Sequence, residues 1–377
     1  VKLNRQGRLA GATALMGALA LTLAACGSDN NTPAAGDSSS DTSSSSSSAA
    51  MALSGELVGA GSSAQEKAMD AWRAGFQNAN ADVTVSYDPI GSGGGRTKFI
   101  SGATDFAGSD AALSGDELTQ ADARCAPGTA VDLPVYISPI AVVYNLPSVP
   151  DLQLSPETMA KIFDGKITTW DDAALKADNP DATLPSSPIV VVHRSDESGT
   201  TKNFTDYLAQ AAGGAWPYDA SGDWPTEGGQ SAQGTSGIIQ TVQGAEGTIS
   251  YADASQAGSL GVAKVKVGDK YVAYSAEGAA AVVADSPRDT SRAAGDIVVD
   301  INRKTTDPSH YPLVLLSYQI ACTSYSDAGK ADMVKQWLTW VSSADGQTAG
   351  SDASGSAPIS DALRADIQKT IDMISAG

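Results

Sequence analysis

The sequence predicts an α/β protein of two lobes with a ligand crevice between them. Three observations carry that expectation. Short β-type runs alternate with helix-period runs along most of the chain. About 325 of the 377 residues follow a low-complexity leader, more than one hydrophobic core ordinarily organises. Three Ser/Gly-rich turns fall where a strand hands over to a helix, the ligand-bearing end of open α/β sheets.

The leader comes first. Lys2, Arg5 and Arg8 flank an uncharged Ala/Leu/Met/Gly run, which reads as a signal peptide over 1–25 and is too short and too lightly flanked for a permanent span. The cut, Leu23-Ala24-Ala25-Cys26, resembles the lipobox of bacterial lipoproteins, with Cys26 as the lipidated residue. A plain secretory signal with an incidental cysteine is the alternative. Residues 26–50, with an unbroken run from Ser43 to Ser48, bury too little to offset the entropy of ordering and form a tether. Losing Lys2, Arg5 and Arg8 and no acid takes the formal charge from -19 to -22. That acidity argues against nucleic acid or anionic lipid as partner, but not against a small anion held by local donors.

The folded elements follow in order. Residues 56–59 end a strand, and 65–76 form a helix with Ala68, Met69, Trp72 and Phe76 on one stripe. Val83, Val85 and Tyr87 alternate as a strand, and 134–144 is a long apolar run. Residues 155–163 are helical, 189–192 a buried strand, and Phe204, Tyr207, Leu208 and Ala211 mark the next helix. A helix starts in 237–242 and a strand lies at 249–251. Met333, Trp337, Trp340 and Val341 line a helix face, and 359–374 supplies another. These tryptophans are core rather than ligand platforms. Cys125 and Cys322 pair in an oxidising compartment, or stay as two buried thiols. A bond between them fits one lobe built from both chain ends: 51–141 and 317–377, with 142–316 as the second lobe. His193 and His310 provide no metal cluster, so no metal and no cofactor is expected.

The turns carry the chemistry. In His193-Arg194-Ser195-Asp196-Glu197-Ser198-Gly199-Thr200-Thr201, an arginine, hydroxyls and a glycine gather at a helix start, equipment for holding an oxyanion. An ordinary capped helix with a surface ion pair is the other reading. In Gly59-Ala60-Gly61-Ser62-Ser63-Ala64-Gln65-Glu66, Ser62 with Gln65 and Ser63 with Glu66 have capping-box spacing. Its relaxed dinucleotide fingerprint fails because Asp82 precedes the next strand. Ile90-Gly91-Ser92-Gly93-Gly94-Gly95-Arg96 is a glycine-rich loop without the Lys-Ser/Thr ending of a P-loop, and Arg96 caps or salt-bridges. Asp110 either caps the next segment or faces the ligand. A carboxylate beside an anion is favourable only if the ligand donates a proton to it, as phosphate can and sulfate cannot.

These motifs, with Gly108-Ser109-Asp110, Ile162-Phe163-Asp164-Gly165-Lys166-Ile167, Trp170-Asp171-Asp172 and Gly247-Thr248-Ile249-Ser250-Tyr251, occur in the order of a known family. The chain resembles the phosphate-binding lipoproteins of the bacterial high-affinity phosphate ABC transporter, over nearly all the sequence after the tether. The resemblance implies a type II venus-flytrap fold that buries inorganic phosphate between its lobes. It places the Ser63 hydroxyl, the Ala64 N–H, Ser92, Asp110, Arg194, Ser198, Gly199 and Thr200 on the anion, with Asp196 orienting Arg194. It further implies a non-enzymatic, monomeric protein, lipid-anchored outside the cell membrane and delivering phosphate to a permease. Ala64-Gln65 stands where relatives carry Phe-Pro, and Glu197 where a glycine occurs, so Glu197 must point away from the ligand. Sulfate or molybdate in the same fold is the alternative, weakened by Asp110. A hydrolase lacks a nucleophile with its base, and a purely structural lipoprotein would bind no oxyanion.

Overall fold

Residues 53–377 are described by a computed structural model; the expected signal peptide (1–25), Cys26 and the tether (26–50) lie outside the described residues. The first strands and helices are β1 (Gly55–Gly61), α1 (Glu66–Ala79), β2 (Val83–Asp88), α2 (Ser92–Ile100), β3 (Phe106–Ser109), α3 (Gly115–Cys125) and β4 (Ala130–Asn145). In α1 the stripe Ala68, Met69, Trp72 and Phe76 is buried, as its helical spacing requires. Next come β5 (Gln153–Leu154), α4 (Pro156–Phe163), α5 (Ala173–Asp178), β6 (Val190–Arg194), α6 (Gly199–Ala211), β7 (Gln230–Ala232), α7 (Gly234–Gln243) and β8 (Thr248–Asp253). Ser155 caps α4 by accepting from the Thr158 N–H, with Pro156 opening the helix. The chain ends through β9 (Gly261–Val262), β10 (Lys264–Val267), β11 (Lys270–Val272), α8 (Ala276–Ala284), β12 (Val314–Cys322), β13 (Ser324–Tyr325), α9 (Ala328–Ser342), α10 (Ala344–Ser354), α11 (Asp361–Met373) and β14 (Ser375–Ala376).

One sheet runs through the molecule in the order β2-β1-β3-β12-β4-β8-β6-β7. Strands β2, β1 and β3 are parallel, as are β8, β6 and β7; β12 and β4 are antiparallel to their neighbours in the centre. The long β4 is the bridge. Up to Pro139 it pairs with β12, and from Ile140 it pairs with β8. The apolar run of the sequence is therefore one strand shared by two sheet halves, each ending in its own set of turns. The principal core spans both halves, from Trp72 and Trp337 to Phe163, Phe204 and Tyr251. A second cluster, with Val143, Val192, Ile238 and Val242, seals α7 on the opposite face of β4, β6 and β8. Helices thus cover both faces of the second half. Among the described residues no helix is long and apolar enough to cross a membrane.

Cys125, closing α3, is bonded to Cys322, closing β12, across 197 residues of sequence. Closing so long a loop restricts the unfolded chain, so Cys322→Ser should lower unfolding free energy by about 2–5 kcal/mol. Urea titration read by tryptophan fluorescence would measure it, and an unchanged midpoint would contradict it.

Three local expectations are corrected. No capping box forms on α1, which has no side-chain cap. Ser62 Oγ instead accepts from the Ala64 N–H at 3.1 Å, and the Gln65 amide turns inward, onto Ser317 and Gln319. The glycine-rich loop is in fact helix α2, beginning at Ser92. Its missing side chains serve close packing rather than turn geometry: a Cβ on Gly93 would meet the Glu197 side chain, with Glu197 Cβ at 2.9 Å. Helix α7 starts at Gly234, ahead of the expected 237–242, which carries its first N–H groups to the site.

Candidate functional site

Arg194 is the last residue of β6, and its guanidinium is buried, with 3% of the side chain exposed. Nε donates to Asp196 Oδ1 at 2.8 Å and Nη2 to Asp196 Oδ2. This fork-to-fork pairing fixes the guanidinium plane and leaves the Nη1 hydrogens and the second Nη2 hydrogen for another acceptor. Asp196 is held in turn by the Gly234 N–H at 3.1 Å.

Helix α6 begins five residues after Arg194. Ser198 is its cap, accepting from the Thr201 N–H at 3.2 Å. Gly199 touches the other half of the molecule: a Cβ there would lie 2.6 Å from both Asp110 Cβ and Ser92 Oγ. Only glycine permits that approach. Thr200 Oγ1 donates to Asp110 Oδ2 at 3.2 Å, and Ser92 Oγ accepts from the Asp110 N–H at 3.1 Å. Ser92, Asp110, Gly199 and Thr200, scattered over 109 positions of sequence, thus form one buried cluster. Asp110 is buried within this cluster, not on the surface. Burial pushes its carboxyl above the usual carboxylate range, against the opposing pull of the Ser62 and Ser317 hydroxyls, Arg194 and Thr200.

Glu197 pairs with Arg96. Its Oε1 lies 3.1 Å from Arg96 Nη2, and Arg96 also holds Glu117 at 2.8 Å and Ser109 Oγ at 3.0 Å. Arg96 is therefore the counter-charge that absorbs Glu197. Ser63 and Ala64 are buried in the turn between β1 and α1. The Ala64 N–H is directed at Ser62 Oγ, while Ser63 Oγ meets Thr235 across the cleft.

Sequence reasoning missed four residues that hold this cluster. Ser317 Oγ donates to Asp110 Oδ1 at 2.7 Å. Asn203 Nδ2 donates to the carbonyls of Asp110, at 2.7 Å, and Gly199, at 2.9 Å, tying the two sides together. Its Oδ1 accepts from the buried Arg303, whose Nη1 also reaches the Pro312 and Val314 carbonyls. Thr235 donates its N–H to Ser63 Oγ. Two signals were available. Ser317 and Gln319 are polar at period two inside an apolar strand, and Asn203 sits one turn from Gly199 on a helix otherwise buried through Phe204, Tyr207 and Leu208.

The two sheet halves joined by shared strands, with a polar cluster between strand ends and helix starts, define a two-lobed substrate-binding protein of the type II periplasmic fold. A family model described as a PBP superfamily domain matches residues 33–345. Phosphate-binding protein PstS 3 of Mycobacterium tuberculosis is 37% identical over 381 residues, covering 100% of both chains. PstS 2 of the same organism is 35% identical, covering 98% of this chain and 99% of its own. The chain belongs to this family of PstS phosphate-binding proteins within the PBP superfamily. In fold it is similar to the periplasmic phosphate-binding protein PfluDING solved with phosphate, at TM-score 0.68 and 21% identity, over 84% of this chain and 93% of that one. A putative phosphate ABC transporter substrate-binding protein from Clostridium perfringens, also with bound phosphate, superposes at TM-score 0.55 and 18% identity, over 80% and 98%.

Proposed function

We propose that this protein captures inorganic phosphate outside the cytoplasmic membrane and hands it to the permease of an ABC transporter. The observation that carries the reading is a buried, fork-held Arg194 close enough to act on a buried Asp110 acceptor in one hydroxyl-rich cluster. The cation supplies charge. The carboxylate demands a proton from the ligand, which hydrogenphosphate has and sulfate lacks. Around them the Ser63, Ser92 and Ser198 hydroxyls, with the Gly199 and Thr200 N–H groups and the Ala64 N–H once released from Ser62 Oγ, form the proposed ring of donors.

No bond is broken in this scheme. His193 Nδ1 and Nε2 face the carbonyls of Arg194 and Gly228, and His310 lies between Thr305 Oγ1 at 3.0 Å and Asp285 at 3.1 Å, so neither histidine bonds to a hydroxyl of the proposed ring. The protein works as a monomer anchored through lipidated Cys26 on the extracytoplasmic membrane face, with its permease as partner. Residues 51–141 and 317–377 form one lobe and 142–316 the other, supported by the partner change of β4 between Pro139 and Ile140. The stretch around Arg292–Ile297 packs back on the first lobe, through Arg292 to Asp132 and Ile297 N–H to the Asp132 carbonyl, so the return crossing begins before residue 316.

Calorimetric titration of the ligand-stripped protein with phosphate and with sulfate tests the function. One-to-one phosphate binding with negligible sulfate heat is expected. Equal or stronger sulfate binding would keep the oxyanion receptor and overturn its selectivity, and silence toward both ions would remove the site.

A further inference from the structure

Thr235, second residue of α7, reaches across the cleft to Ser63 in the turn after β1. Its N–H donates to Ser63 Oγ at 3.0 Å, and its own Oγ1 lies 3.0 Å from the same oxygen. Both residues are buried, at 2% and 4% exposure. A serine hydroxyl has two lone pairs and one hydrogen. The Thr235 N–H takes one lone pair; the hydroxyl pair can run either way, and in the direction where Thr235 donates to the other lone pair, Ser63 sends its hydrogen elsewhere. An oxygen that accepts two hydrogen bonds is also a stronger donor.

We infer that Thr235 is a positioning residue for phosphate binding: it aims and polarises the Ser63 hydroxyl toward the anion, and clasps the lobes when they close. The inference rests on the proposed role of Ser63 as a phosphate donor. Two further contacts lie beside this one. Gln256 Nε2, beyond β8, donates to the Ser63 carbonyl at 2.9 Å and is a second tie between the lobes, while the Gly234 N–H, next to Thr235, holds Asp196 within its own lobe. Adjacent backbone groups of α7 therefore serve the Ser63 hydroxyl across the lobes and, through Asp196, the guanidinium on their own side. Phosphate, by holding both, favours the closed arrangement.

The test uses the full chain, with phosphate affinity from calorimetry and release rate from stopped-flow fluorescence. Thr235→Val removes the hydroxyl but keeps the N–H and the side-chain shape. It should weaken phosphate binding about tenfold, mainly through faster release, while Thr235→Ser stays within about threefold of the wild type. Because Thr235 acts through Ser63, Thr235→Val added to Ser63→Ala should cost nothing more than Ser63→Ala alone. A merely structural role would make the two losses add. An affinity of Thr235→Val within about twofold of wild type, or additive losses, overturns the clasp and leaves the phosphate site standing. Wild-type protein that gives no heat with phosphate overturns the site reading and the clasp with it.

Discussion

Arg194→Ala is expected to weaken phosphate binding by about 3–5 kcal/mol, roughly 10²–10⁴-fold, the cost of stripping a buried anion of its main counter-charge. Two effects combine. The ligand loses the hydrogens on Nη1 and Nη2 that Asp196 does not use, and Asp196 loses its fork, retaining only the Gly234 N–H. Its negative charge then remains beside the anion instead of being cancelled. Arg194→Lys should recover little of the loss, because an ammonium cannot make the two parallel bonds to Asp196 that fix the plane. Calorimetry measures the effect, with melting of the ligand-free variant reporting whether the fold survives. A loss below about tenfold would count decisively against Arg194 as the principal contact.

The parts of this site that were legible in the sequence are those where chemistry is contiguous. Arg194, Asp196, Ser198, Gly199 and Thr200 fall within seven positions, and a strand end followed by a helix start brings them together whatever the rest of the fold does. Asp110 was legible as a choice between two roles. The structure adds what surrounds it: β12 places Ser317 against its carboxylate and α6 places Thr200 there. The residues that escaped notice act at a distance. Thr235 meets Ser63 across 172 positions and Ser317 meets Asp110 across 207, and nothing local marks either pair. The glycines after Ile90 divide by role. Gly91 supplies backbone freedom, at φ 97°, whereas Gly93 and Gly95 leave room for the Glu197 side chain and the backbone of Ala60 and Gly61 to pack against helix α2. The helix penalty of glycine is small beside the gain of a close approach. The capping-box spacing failed because Gln65, free to cap in an isolated peptide, finds Ser317 and Gln319 in the folded core.

Selectivity, unlike affinity, should depend on Asp110. In the folded protein its carboxylate accepts from Ser317 and Thr200 and has lone pairs left for the ligand. Hydrogenphosphate donates to them. Sulfate sets a bare oxygen against them, leaving a buried charged acceptor unpaired at a cost of about 1–3 kcal/mol or more. Asp110→Asn keeps the shape, removes the charge and presents an N–H₂ that can donate to either ion. The phosphate-to-sulfate affinity ratio should therefore fall by about tenfold or more, chiefly through stronger sulfate binding. Acid should do to the wild type what the substitution does at neutral pH. Burial raises the Asp110 pKa, so the carboxyl takes up its proton at a higher pH than an exposed aspartate would. Below that point it is neutral and can donate to sulfate; above it, it can only accept. Sulfate itself does not titrate in the weakly acidic range, so its affinity isolates the carboxyl. Sulfate binding to the wild type should strengthen as pH falls through the raised pKa, and sulfate binding to Asp110→Asn should stay flat. Calorimetric sulfate titrations of both proteins, from neutral pH down to the lowest pH at which they stay folded, make the comparison. A wild type as indifferent to pH as the variant, with an unchanged ion ratio, would show that the carboxylate does not choose the ligand.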